Sequence, residues 1–282
     1  MSKSTTPHSN LFSPQYKLID ILLTLLCGAH SLVQIKTLLR SDPALQRSRG
    51  RQRCSEQSVA QQTLDAATAR NVDEMQQVLT ALFREHSQAA SHTSRSGWLI
   101  LDVDLTGMPC GKQAEYSTKG YFGQHRSRRG RQPRRVLASQ YGEIVVDMLY
   151  PGSTILLNAL LNLIKQAEQV LALTPFKRKH TLIRLDAGGG SIDSLNSLPS
   201  QGYVVVSKDY SAQRVRRLIT SVTQWVDDPD QPGRQVGWVR EESLEYIRPV
   251  RRLGVRSKSS KGRWRYAVLL FAGLDQKDIL LI

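Results

Sequence analysis

The chain has 282 residues, long enough for one full α/β domain and a smaller helical one. Hydrophobic residues make up 40%, which excludes a mostly disordered protein. Lys and Arg number 39 against 24 Asp and Glu, a net charge of +15 that makes a polyanion the expected partner.

Residues 1–14 are polar and read as a flexible arm. Residues 15–90 read as a helical, DNA-binding domain. Apolar positions recur every three or four residues in Tyr16–Leu26, Leu32–Leu39, Val59–Ala67 and Met75–Phe83. Ser31 and Ser41 stand where N-caps stand, and Ser55 opens a cap-like stretch. Basic turns such as Arg47–Arg53 between short helices suit a helix-turn-helix-like module, although a plain helical cap on the next domain fits the same pattern. The apolar run Leu18–Leu26 is interrupted by Asp20 and falls short of the ~20 residues that span a bilayer.

Residues 91–97 are a polar linker, and 98–282 change texture. Trp98–Leu105, Arg135–Gln140 and Glu143–Tyr150 read as strands, the last two joined by a turn at Tyr141-Gly142. Ser153 or Thr154 is placed to cap a long apolar helix running to about Leu173. A strand at Thr181–Leu185, a helix from Ser191, a strand at Tyr203–Ser207 and a helix at Ala212–Thr220 follow. Tyr246–Val250 and Trp264–Phe271 close the pattern as strands. This order predicts an α/β fold with a mixed sheet.

The cysteines, Cys27, Cys54 and Cys110, are far apart and odd in number, which argues against a zinc cluster or a disulfide framework and suits a reducing cytoplasm. The positive charge is spread along the chain rather than gathered on one amphipathic helix, so nucleic acid is expected and a membrane is not.

Asp102 and Asp104 lie at the end of the first strand of the α/β region. The strand period of two puts both on one face of the sheet. Asp186 ends a second apolar strand and precedes Ala187-Gly188-Gly189-Gly190-Ser191, where glycines allow close approach to the backbone. Each aspartate alone is better read as an ordinary strand-end or turn residue. Together they suit a hard cation and a phosphate at the carboxyl ends of the strands. Two basic tracts flank them. Lys112 to Arg135 holds eight cations (Lys112, Lys119, Arg126, Arg128, Arg129, Arg131, Arg134, Arg135) against Glu115. Arg248 to Arg265, with Arg251 and Arg252, holds eight more and no acid. Such tracts neutralise nucleic-acid phosphates, or serve as solvated loops.

Leu101-Asp102-Val103-Asp104-Leu105-Thr106, followed by Lys119-Gly120-Tyr121-Phe122-Gly123, resembles the opening of DDE-type insertion-sequence transposases. Arg184 to Ser191 resembles that family's second acidic segment. The resemblance implies an RNase H-like mixed sheet flanked by helices and preceded by an all-α domain. It implies that Asp104 and Asp186, with Asp102 as fallback, hold Mg²⁺ or Mn²⁺ for cleavage and transfer of DNA strands. It also implies DNA contacts from Lys119, Arg126, Arg128, Arg129, Arg131, Arg251 and Arg252. The partners implied are double-stranded DNA, as terminal repeats and target, and further copies of the chain in a homo-oligomer on that DNA. The expected location is the cytoplasm, associated with the nucleoid. The family's third acid, a glutamate, has no counterpart after the last predicted strand. Glu241, Glu242 and Glu245 precede that strand, and Asp275 and Asp278 follow it. The expectation is a C-terminally shortened copy, active or reduced to DNA binding. A metal-dependent nuclease using Glu143 or Asp147 is a third reading.

Overall fold

A buried carboxylate organises the amino-terminal helices. The computed structural model describes residues 12–95, 97–122, 125–186, 191–209, 211–240 and 246–274, with the backbone alone for residues 121, 125, 126, 157 and 158. The chain divides into two units, Met1–Leu79 and Thr80–Ile282. In the first, α1 (Pro14–Leu26) starts at Ser13, whose side chain accepts from the Tyr16 N–H, with proline in the first turn. A 3₁₀ turn (Leu32–Gln34) and a π turn (Ile35–Leu39) replace the single helix expected there. Short helices α2 (Pro43–Ser48) and α3 (Gln57–Asp65) follow. Ile21, Ile35, Leu39, Cys54 and Ala60 form the small core.

Asp20 has no solvent exposure. It accepts from Arg49 at 3.0 Å, from Arg51 at 2.7 and 3.2 Å, and from the Ser55 amide and hydroxyl at 2.7 and 2.8 Å. The chain after α2 is therefore pinned to α1 by a charge that burial would otherwise make costly. This corrects two expected caps. Ser55 serves Asp20 and not a helix, and Asp42, accepting from the Leu45 N–H at 2.9 Å, caps α2 in place of Ser41. The helix α4 (Ala69–His86) crosses from the first unit into the second, and none of its residues is buried.

The second unit is built on one mixed sheet. Its strands are β1 (Leu99–Leu105), β2 (Met108–Pro109), β3 (Thr118–Phe122), β4 (His125–Ala138), β5 (Glu143–Pro151), β6 (Thr181–Leu185), β7 (Val204–Lys208), β8 (Val226–Asp227), β9 (Arg234–Trp238), β10 (Val250–Lys258) and β11 (Trp264–Ala272). The lateral order is β2-β4-β1-β6-β7-β11-β10-β9-β8, with β3 and β5 also paired to β4. β1, β6 and β7 are mutually parallel, and the other pairings are antiparallel. Helices α5 (Leu156–Leu171), α6 (Pro175–Arg178), α7 (Ile192–Ser200) and α8 (Ala212–Ile219) make the connections.

The core follows from two periods meeting. On α5, Leu156, Ala159, Leu160, Leu163, Ile164 and Ala167 recur at helical spacing. Leu101 and Val103 of β1 alternate towards the same cluster, with Ile183 and Leu185 of β6 beside them. Burying each such side chain stabilises the unit by ~1.5–3 kcal/mol. The opposite face carries Ile100, Leu182, Val204 and Leu269 in a smaller cluster.

Several elements depart from the sequence reading. β4 begins at His125 rather than Arg135, because its basic first half is held by pairing on both sides and not by apolar alternation. α5 starts at Leu156 behind Ile155, which gives no side-chain cap; the Ser153 hydroxyl instead accepts from the Thr118 hydroxyl at 3.2 Å. The strand expected at Tyr246–Val250 instead runs from Val250 to Lys258, so most of the second basic tract is a hairpin. Residues 91–97 include buried Ser94, and His92 contacts the Tyr141 hydroxyl at 2.7 Å.

Candidate active site and nucleic-acid interface

The register of β1 and β6 sets the chain positions of the predicted acids. Val103 pairs with Leu185 in parallel; Asp104 is the next residue of β1, and Asp186 is the first residue past the carboxyl end of β6. Both are exposed. Adjacent strands lie ~4.8 Å apart, a separation that two carboxylates on one face can bridge through a cation. The Asp104 carboxylate accepts from the Leu105 N–H at 2.7 Å. Neither acid is in an ion pair with a described residue.

Asp102 sits one step back on the same face and has a different task. Its carboxylate is gripped by the Arg184 guanidinium, with Nη2 at 2.6 Å and Nε on the other oxygen. The Asp102 side chain pushes the Arg184 pKa up, against the effect of burial. Asp102 and Arg184 are register partners, so the pair fixes the strands immediately behind the exposed acids. On the other side of Asp104 lies its β4 partner Arg135, whose guanidinium is bound to Asp147 of β5. Glu143 accepts from the Ser87 hydroxyl and from the Gln88 and Ala89 amides at 3.0 and 2.9 Å. Burial opposes ionisation of Glu143, but these three donors hold its carboxyl below the usual range. Asp147 and Glu143 are thus engaged in structural bonds.

The donor set of Asp104 and Asp186 fits a hard divalent cation: exposed carboxylate oxygens without nitrogen or sulfur ligands. Among the described residues no group of three or more His, Cys, Asp or Glu converges. Glu241, Glu242, Glu245, Asp275 and Asp278 lie outside the described residues, as does the glycine turn after Asp186.

The first basic tract divides by orientation. β3 and β4 form a hairpin, with Lys119 opposite Arg129 and Gly120 opposite Arg128. β4 meets β1 at Arg134 opposite Leu105, so the hairpin extends past the carboxyl end of β1, beside Asp104. Lys119 and Arg128 are exposed on it. Arg129 donates to the Ser117 carbonyl at 3.0 Å, Arg131 is half-buried, and the side chain of Arg126 is outside the described residues. Arg134 is fully buried. It donates to Gln132 Oε1 at 2.8 Å and to the Thr154 carbonyl and lies over the Tyr150 ring, and burial pulls its pKa down. It is therefore a core residue.

Glycines make this hairpin possible. A Cβ on Gly130 would meet Phe122 at 2.6 Å, and one on Gly120 would meet the Gly152 carbonyl at 2.0 Å. The strands close on Phe122 only because those positions carry no side chain.

The second tract divides in the same way. Arg251 is exposed, level with Phe271 within the sheet. Arg252 is 5% exposed and lies over the Tyr246 ring, so it faces the core. Arg248, Arg251, Lys258, Lys261, Arg263 and Arg265 are exposed, and of these Lys258, Lys261 and Arg263 gather at the β10–β11 turn. The sequence counts them in the tract but singles out Arg251 and Arg252, because tract composition alone does not tell the two ends of a strand apart. No helix among the described residues is long and apolar enough to cross a membrane.

No family model matches the sequence, and neither does any curated protein. The fold is similar to a chain in the cryo-EM structure of the piggyBac transposase synaptic complex with hairpin DNA, with a TM-score of 0.53 and 11% identity over 98% of this chain and 55% of that one. This chain thus spans about half the length of that transposase chain. At that identity the likeness is one of architecture: the α/β unit has a transposase-like fold.

Proposed function

We propose that this chain belongs to a DDE-type insertion-sequence transposase with an RNase H-like core, and that it cuts and transfers DNA strands with Mg²⁺ or Mn²⁺ held at Asp104 and Asp186. The observation that supports the reading is the parallel pairing of Val103 with Leu185, each followed directly by an aspartate at the carboxyl end of its strand. The antiparallel β1, β4 and β5 continued by parallel β6 and β7, the basic β3–β4 hairpin beside the acids, and the likeness to a transposase fold support it.

The chemistry follows from the residues. A divalent cation bound by the two carboxylates would supply positive charge to a phosphodiester in in-line displacement. Lys119 and Arg128 would hold the adjoining backbone, and the Asp102–Arg184 pair would keep the strands in register. DNA is the partner on this reading, several copies would act together on paired ends, and the protein would work at the nucleoid in the cytoplasm.

DNA binding without cleavage is the second reading, favoured by the absence of a third converging carboxylate among the described residues. Incubation of the chain with supercoiled plasmid separates the two. The first reading expects metal-dependent nicking that Asp186→Asn abolishes. Salt-sensitive binding with no nicking in Mg²⁺ or Mn²⁺ overturns it in favour of the second.

A further inference from the structure

The hairpin at the far side of the sheet faces the same edge as the acids. β11 pairs with β7 in antiparallel register, Leu269 opposite Lys208, the last residue of β7. Residues before Leu269 therefore run past the carboxyl end of the parallel strands. The β10–β11 turn lies out there, beyond Ser257, the last β10 residue in register with β9. The turn is ordered by its own bonds: Ser259 N–H to the Arg263 carbonyl at 2.8 Å, Gly262 N–H to the Ser259 carbonyl at 2.9 Å, and Arg263 N–H to Ser259 Oγ at 3.1 Å. Gly262 supplies the left-handed residue, with φ of 71°.

Arg256 braces the base of this ribbon. Its guanidinium lies 4.4 Å from the Trp225 ring and 4.6 Å from the Trp264 ring, and its Nε donates to Gln235 of β9 at 2.7 Å. With both faces covered, Arg256 ties the ribbon to its neighbours and leaves ligand contact to others. Lys258, whose ammonium sits 5.4 Å from the Trp264 ring, and Lys261 and Arg263 at the turn are exposed.

We propose that the β10–β11 tip is a second contact for duplex DNA, gripping phosphates through Lys258, Lys261 and Arg263; this rests on the reading of DNA as partner. Between β10 and the acids lie three strand spacings to β6 and four to β1, or ~14–19 Å. Phosphates recur every ~3.4 Å along one strand, so the tip meets the backbone about five nucleotides from the phosphate held at the acids. The β3–β4 hairpin stands on the other side of the acids, so one duplex lying along this edge is held on both flanks.

The test is binding of the full chain to a fluorescent mixed-sequence duplex across a range of salt, read as the slope of log affinity against log salt. Each phosphate contact contributes ~0.9 to that slope. The triple variant Lys258→Ala/Lys261→Ala/Arg263→Ala is expected to flatten it by about 2–3, and Lys165→Ala/Lys179→Ala, at exposed cations elsewhere, to leave it unchanged. A slope unaltered in the triple variant overturns the proposal. So does equal flattening in the control, which reports net charge alone. Mn²⁺ binding by Asp104→Asn and Asp186→Asn is measured in parallel. If those leave metal binding intact while the triple variant flattens the slope, the catalytic reading fails and the tip contact stands.

Discussion

Val103 and Leu185 are paired core positions on neighbouring parallel strands, and each is followed directly by an aspartate: Asp104 within β1 and Asp186 just past the end of β6. Apolar burial thus sets the acid pair: slipping either strand by one residue would turn its aspartate to the opposite face.

Asp102 and Asp104 are predicted to behave differently despite sharing a face. Asp102→Asn removes a bidentate pair with a partly exposed arginine, a loss of about 1 kcal/mol of stability. Asp104→Asn leaves stability within ~0.5 kcal/mol, as expected for an exposed site without an ion-pair partner among the described residues. Chemical denaturation of the two variants beside the wild type checks the contrast.

Asp20 makes the helical unit sensitive to acid. Burial raises the cost of its charge, but the Ser55 amide, Arg51, the Ser55 hydroxyl and Arg49 outweigh it, and the carboxyl titrates below the usual range. A carboxyl depressed in the folded state contributes stability above its unfolded value of ~3.9 and loses it as pH falls through the folded value. Helical signal from the unit is therefore expected to decay below about pH 4. Asp20→Ala strands two arginines and costs ~3–5 kcal/mol, measurable by circular dichroism at neutral pH.

Gly130→Ala tests the glycine packing under the first basic hairpin. The new methyl would meet Phe122 at 2.6 Å and the Met108 carbonyl at 2.7 Å, and neither backbone nor buried ring yields easily. A loss of ~1–3 kcal/mol is expected. Gly142→Ala, at an open turn position with φ of 66°, is expected to cost less than Gly130→Ala. Equal thermal shifts in the two would contradict the packing account.

Much of the α/β unit was legible because its signals are local. The alternation in Leu99–Leu105, the apolar run Thr181–Leu185 and the helical stripe of α5 predict those elements to within a few residues. β4 was hidden in part, since His125 to Arg131 carry cations where a strand usually shows alternation and are held by partners distant in sequence. Composition marks both basic tracts but cannot sort their members. Arg134 and Arg252 are buried and Lys258 is exposed, a distinction fixed by strand register. The fates of Asp20 and Ser55 were illegible for a similar reason, as their bonds span 35 positions in the chain.

The most direct test of the acid pair is Mn²⁺ binding to the full chain, followed by electron paramagnetic resonance. Wild type and Asp102→Asn are expected to bind the ion, and Asp104→Asn and Asp186→Asn to lose it while keeping their circular dichroism spectra. Undiminished binding in the latter two would contradict the assignment of the site.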